Sequence, residues 1–163
     1  MDATLNLERW TEASLELLTE TFETHHGIYL DAGTSLFETL KTISADQASV
    51  PVGGECATLA AQVAHVNFYL EVLERYIQTG DAGDPDWGEI WRTVREVSAE
   101  EWTVLINKLR VTYDRIHGML SGGVSWDDDY SVDGALAIIV HSAYHLGEIR
   151  QALCTLRSVD AAR

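Results

Sequence analysis

The chain has 163 residues, 26 of them acidic and 11 basic, for a formal charge of −15 at pH 7. A surface this negative repels phosphate backbones, which argues against a nucleic-acid partner. Hydrophobic residues make up 46% of the chain, too many for a disordered segment. The longest apolar runs fall well short of the ~20 residues that span a bilayer. No basic segment followed by an apolar one opens the sequence, so neither a secretory leader nor a membrane partner is expected, and the expected location is the cytoplasm. Two cysteines, Cys56 and Cys154, can pair but do not make a disulfide scaffold. The length suits one domain over residues 1–163.

Apolar residues fall into four helical blocks separated by turn-rich linkers. The first begins near Leu5. Leu7, Trp10, Ser14, Leu17 and Thr21 share one face, with Leu15, Leu18 and Phe22 beside it, and it ends at His25-His26-Gly27. A shorter helical piece over 34–43 follows, and Pro51 with Gly53-Gly54 stops it. The second block covers about 55–78. Leu59, Val63, Val66, Leu70, Leu73 and Ile77 alternate spacings of four and three, the seam of a bundle. Residues 80–88 read as a loop. The third block opens at Ser98, with Glu101 three residues on as a capping box. Its stripe is Trp102, Leu105, Leu109, Thr112, Ile116 and Met119, and Gly118 and Ser121-Gly122-Gly123 are expected to end it. The fourth block, capped by Ser131 or Asp133, runs to about Leu156. It is apolar on most sides, through Leu136, Ile138, Ile139, Val140, Ala143, Leu146, Ile149 and Leu153, so it should be central or covered by a second subunit. No strand alternation is present. The expected fold is all-α, a four-helix bundle whose linkers are long enough for crossover connections.

Three histidines interrupt two apolar stripes. His141 and His145 are four residues apart, so one face of the fourth helix presents both imidazoles. The HSAYH segment lacks the glutamate of a zinc-protease helix. They lie among Ile138, Ile149 and Ala152, and His65 lies among Ala61, Phe68 and Val72 on the second helix. Burying an unpartnered polar group costs about 1–3 kcal/mol. A shared divalent cation satisfies three such groups together. Bonds to backbone or hydroxyls satisfy them separately, with Tyr69, Tyr144 and Gln62 close in sequence, and spacing alone leaves both readings open. If the two helices run parallel from one level, the three residues fall at similar depth. Three His ligands leave an open position of the kind catalytic metals use, and imidazoles suit Zn, Ni, Cu or Fe.

These segments resemble the DinB/YfiT-like superfamily of metalloenzymes. The likeness rests on TLAAQVAHVNFYLEVL (58–73) and HSAYHLGEIRQAL (141–153), with a weaker match over 27–52. It implies a four-helix bundle of unusual connectivity, often dimeric, with a divalent metal, Zn or Ni foremost, on His65, His141 and His145. The family's common His-Arg-Gly-Gln ending reads His145-Leu146-Gly147-Glu148 here, so Gly147 matches, where it would admit close helix approach. Leu146 and Glu148 depart from it. Characterised relatives are thiol S-transferases and a thiol-dependent isomerase. The implied function is a metal-dependent thiol transferase or hydrolase acting on a small molecule, with a low-molecular-weight thiol as cosubstrate. The alternative is a non-catalytic, stress-related metal-binding dimer. Lewis acidity activates a thiol or water in such a site. Glu148, one turn past His145, is the candidate base, ahead of Tyr144 and Arg150. Ordinary imidazoles would release the ion below about pH 6, because ligands must be neutral.

Other features read as structural. His25 and His26 complement the first helix's dipole, and His117 does the same for the third. A single Glu23-x-x-His26 lacks the second motif a di-iron bundle requires. The groups Asp81, Asp84, Asp86 and Asp127, Asp128, Asp129 lack EF-hand spacing and read as solvated loops. Cys56 and Cys154 are each nine residues from a candidate ligand, on the far side of their helices, and read as buried packing. Trp87, Trp91 and Trp126 suit a pocket mouth or a dimer contact.

Overall fold

A computed structural model describes residues 7–54, 56–122 and 124–161. The expected starts near Leu5 and Glu55 and the stop at Gly123 lie outside the described residues. The fold is all-α, with no strand among the described residues. Its helices are α1 (Leu7–Phe22), α2 (Leu36–Leu40), α3 (Ala45–Ala48), α4 (Leu59–Thr79), α5 (Glu89–Thr93), α6 (Ala99–Gly122) and α7 (Asp129–Ala161). No helix among the described residues is long and apolar enough to cross a membrane.

Local chemistry sets the helix ends. The Thr58 hydroxyl accepts the Ala61 N–H at 3.1 Å and starts α4. Gly80, at φ 71°, closes α4 in the left-handed conformation. Ser98 and Glu101 form the expected capping box: the Ser98 N–H donates to Glu101 Oε2, and the Glu101 N–H donates to Ser98 Oγ. Gly118 does not end α6, which runs on to Gly122. Its backbone stays helical there, and a lone glycine only weakens a helix. The fourth long helix starts earlier than expected, because the Asp128 carboxylate accepts the Ser131 N–H at 2.7 Å. Ser131 and Asp133 are therefore inside α7 rather than caps, and the acidic linker supplies the cap. Likewise α1 ends at Phe22, so His25 and His26 lie past its last turn.

The seam of α4 is buried throughout, as are Leu18, Phe22, Leu109, Ile116, Ile138, Leu146 and Ile149 facing it from α1, α6 and α7. Each such side chain contributes about 1.5–3 kcal/mol of burial. Leu7 is exposed and the first buried residue of α1 is Ser14, so the core begins two turns into that helix. Surface pairs fix the directions of the helices. Glu71–Lys108, Glu74–Arg115 and Gln78–Met119 climb together, so α4 and α6 are parallel. Glu23–Arg110 at one end and Trp10–Trp126 at the other make α1 antiparallel to α6. Gly134 abuts Ile77 and Gly80 abuts Tyr130, so α7 runs antiparallel to α4. The parallel premise for the histidines' depth is thus wrong. They meet because His65 lies one-third of the way along α4 while His141 and His145 lie near the middle of α7.

Parallel neighbours need a connection that returns the chain to its starting end. Residues 80–98 make that return along α4. Trp87 packs on Phe68 and Tyr69, then Trp91 packs on His65. At the far end the Val97 N–H donates to Ser49 Oγ at 2.9 Å. The loop reading of 80–88 holds, but the helical turn α5, which carries Trp91, has no signal in the hydropathy pattern.

Candidate metal centre

His65 on α4 and His141 and His145 on α7 converge. One nitrogen from each ring lies within 4.8 Å of the others. The ring centroids are 5.1 Å apart for His65–His141, 4.8 Å for His65–His145 and 4.4 Å for His141–His145. His65 and His145 are 8% and 5% exposed, and His141 is half-buried. Antiparallel packing brings this about. From the close contact at Gly134 and Ile77, one helix descends while the other climbs, and three turns later the histidines face each other.

Partners orient the rings. His145 Nδ1 lies 2.7 Å from Gln62 Oε1 and 2.9 Å from Glu148 Oε2. A carboxylate oxygen only accepts, so Nδ1 carries the proton and Nε2 the lone pair. The other Glu148 oxygen accepts the Tyr144 hydroxyl at 2.7 Å. Tyr69 stacks on His141 with centroids 3.5 Å apart and planes 14° apart, and Trp91 lies 4.5 Å from His65.

His65 Nδ1 and His141 Nε2 are buried and have no hydrogen-bond partner. The reading in which all three histidines are satisfied by backbone or hydroxyls therefore fails for two of them. Each orphan nitrogen costs about 1–3 kcal/mol, a deficit that a cation accepting lone pairs removes. Burial holds all three imidazoles neutral. It lowers His141 to about 3, with added repulsion from His145 and His65. It lowers His65 to about 4, where His145 adds to burial and Glu148 opposes it. His145 is lowered too, by burial, against the pull of Glu148 through space and through its hydrogen bond. Neutral imidazoles with free lone pairs are the form that binds metals. The donor set fits a divalent cation.

Two clefts flank the group. A cleft of about 500 Å³ runs along α7, between Gln62 on one side and Tyr144, Glu148 and Gln151 on the other. A second, of about 460 Å³, lies between Trp91 and Arg95 on the return segment and Cys56, Ala57 and Thr58 before α4. Cys56 lines both, and its helix starts only at Leu59. The expectation that Cys56 and Cys154 pack in the core on helix faces is wrong, since both are free and exposed.

Other sequence-derived candidates fall elsewhere. Gly147 is exposed, and no atom would meet a side chain added there. The close approach of α4 and α7 is made by Gly134 instead, where an added Cβ would lie 2.5 Å from Ile77. Arg150 reaches Thr39 on α2 at 3.3 Å, away from the histidines. His117 sits beside Tyr113 and Ser121 on α6. Asp81 and Asp86 pair with Arg75 and Arg92. Trp87 and Trp91 line the histidine side of the molecule, whereas Trp126 packs on Trp10.

One buried charge escaped the pattern entirely. Glu20 on α1 is fully buried, and its carboxylate accepts the N–H groups of His26, Gly27, Ile28 and Tyr29 at 2.8–3.1 Å. Burial alone would raise its pKa, but the four donors outweigh it and the net shift is downward. The role of this carboxylate is to fold the chain after α1. A sequence signal exists only in hindsight, as a glutamate on the apolar side of a helix. No family model matches the chain, and no curated protein or solved structure matches it either.

Proposed function

We propose that this chain is a divalent-metal-dependent enzyme of the DinB/YfiT type, a four-helix bundle with a crossover between α4 and α6, acting on a small molecule. The observation that carries the reading is the convergence of three buried imidazole nitrogens within 4.8 Å, with two ring nitrogens on His65 and His141 left unpartnered. His65, His141 and His145 would hold the ion, with Zn or Ni the leading candidates. A cation there supplies Lewis acidity, which activates a thiol or a water toward an electrophile. The reaction class is thiol S-transfer or hydrolysis, with a low-molecular-weight thiol as cosubstrate in the first case.

The chain's own residues divide the remaining work. Gln62 and Glu148 fix the His145 tautomer, which keeps Nε2 free. Glu148 also lines the 500 Å³ cleft, where its carboxylate is the proton acceptor for an incoming thiol or water. The Tyr144 hydroxyl holds that carboxylate in place, and its own pKa is raised by the hydrogen bond and charge of Glu148, so it remains a donor. Trp91 and Tyr69 shield the imidazoles from water on the side of the return segment. That shielding also favours a second reading, a non-catalytic metal-binding dimer. The two clefts beside the group favour the enzyme. The exposed α7 stripe of Leu136, Val140 and Tyr144 suits a homodimer contact, and a cytoplasmic location fits the acidic surface.

Metal content of protein purified without a nickel column tests the ligand set. The expected stoichiometry is one ion per chain, lost in His141→Ala. Undiminished metal in that variant overturns the assignment. A screen of thiols against electrophiles, with His65→Ala as control, then separates the enzyme from the binding module.

A further inference from the structure

The 460 Å³ cleft has a charge that nothing in the protein uses. Arg95 lines it, and Arg95 is the one arginine among the described residues without a hydrogen bond or ion pair. Arg75, Arg92, Arg110 and Arg115 each pair with a carboxylate, and Arg150 and Arg157 bond to threonines. In a chain with 26 acidic residues, an arginine left unpaired is conspicuous. The cleft's other walls mix apolar Pro51, Ala57, Ala61, Val94 and Trp91 with polar Ser49, Cys56, Thr58 and Glu96. Trp91 connects it to the histidines, since the same ring that faces the cleft lies 4.5 Å from His65. Thr58 places the positive end of α4 on the same wall.

We infer that this cleft binds the carboxylate of a small apolar or aromatic acid, with Arg95 as the anchor and Trp91 as the platform that points the rest of the molecule toward His65. The inference deepens the proposed function and rests on it for the identity of the reaction centre. Arg95 offers a planar fork that matches a carboxylate in two parallel hydrogen bonds. Glu96 also lines the cleft, and the molecule's net charge is −15. One guanidinium in that field balances one negative charge, which selects a monocarboxylate over a dianionic phosphate ester.

The test is a ¹H–¹⁵N NMR titration of the full chain, both as purified and after chelation, with benzoate, benzamide and phenyl phosphate as probes. The Trp91 indole resonance is assigned from Trp91→Phe. Benzoate is expected to shift it saturably, and more tightly than benzamide or phenyl phosphate. Arg95→Gln should weaken benzoate about fivefold, the order of one solvent-exposed ion pair, and Arg95→Lys should keep part of the affinity. Arg95 is exposed and makes no hydrogen bond or ion pair among the described residues, so both variants are expected to fold as the parent does. No saturable shift with benzoate, equal binding of benzamide, or unchanged affinity in Arg95→Gln overturns the inference. Tighter binding of phenyl phosphate overturns the monocarboxylate assignment. The chelated arm needs no metal, so if the protein as purified carries no ion and still binds benzoate through Arg95, the metal reading falls and this inference stands.

Discussion

His145 shows how much one side chain's function depends on its neighbours. Its Nδ1–H is shared by Gln62 and Glu148, one from each helix, so the ring cannot turn without breaking a bond. Partners that orient a ligand histidine in this way typically change metal affinity 10–100-fold when removed. Gln62→Ala is therefore expected to weaken metal binding about tenfold in a chelator competition, while leaving Glu148 as the remaining acceptor. Unchanged affinity would mean that Gln62 plays no part in holding the ring. The identity of the three histidines was legible in the sequence, because each stands where the helical pattern calls for an apolar residue. Glu148 was legible as a neighbour one turn on. Gln62 was visible only as a nearby polar group, and Arg95 not at all, because nothing in a local pattern distinguishes an unpaired arginine from a paired one.

The helices themselves were set by local signals that could be read directly: the alternating seam of α4, the Ser98–Glu101 box, the glycine after Thr79. The errors lie at boundaries and contacts. Asp128 outcompetes Ser131 and Asp133 as the cap of α7 because its carboxylate reaches the Ser131 N–H. Gly147 was expected to be the point of close approach, but Gly134 fills that role. The two helical glycine types should respond oppositely to substitution. At Gly134 an added Cβ meets Ile77 Cγ1 at 2.5 Å in the buried α4–α7 contact. Overpacking of about 1–3 kcal/mol there exceeds the helix-propensity gain, so Gly134→Ala should lose about 1 kcal/mol. At Gly118 there is open space, and Gly118→Ala should gain about 0.5–1 kcal/mol. Urea unfolding of both variants checks the contrast, and a stabilised Gly134→Ala would show that the helices can separate freely.

For the molecule as a whole, burying three imidazoles couples stability to pH. In the metal-free protein the folded-state values are about 4 for His65 and about 3 for His141, against an ordinary 6.5 in the unfolded chain. As pH falls below 6.5 the unfolded chain takes up protons that the folded one refuses. Stability is thus complete above about 6.5 and drains away as the pH falls toward 4. The water that reaches His141 and its neighbours screens part of this. A loss of about 2 kcal/mol between pH 7 and pH 5 is expected from urea titrations of chelated protein. A flat profile over that interval would contradict the burial of these rings. The same shifts carry proton competition for a bound ion below the pH 6 expected of ordinary imidazoles, because the folded rings resist protonation until nearer pH 4.

Periodicity, caps and turn residues act over a few neighbours, so the chain's all-helical character, the positions of its long helices to within a turn or two and the anomalous histidines follow from residue order. Which helices run together does not. A helical stripe is the same whether its partner is parallel or antiparallel, and the direction of α7 against α4 is settled by which side chains interlock at Gly134 and Ile77. That choice brings His65 opposite His141 and His145. The passage of residues 80–98 back along α4 then lays Trp91 on His65 and sets Arg95 in the adjoining cleft. Contacts between residues dozens of positions apart depend on the packing of the whole molecule, and no local pattern in the chain encodes them.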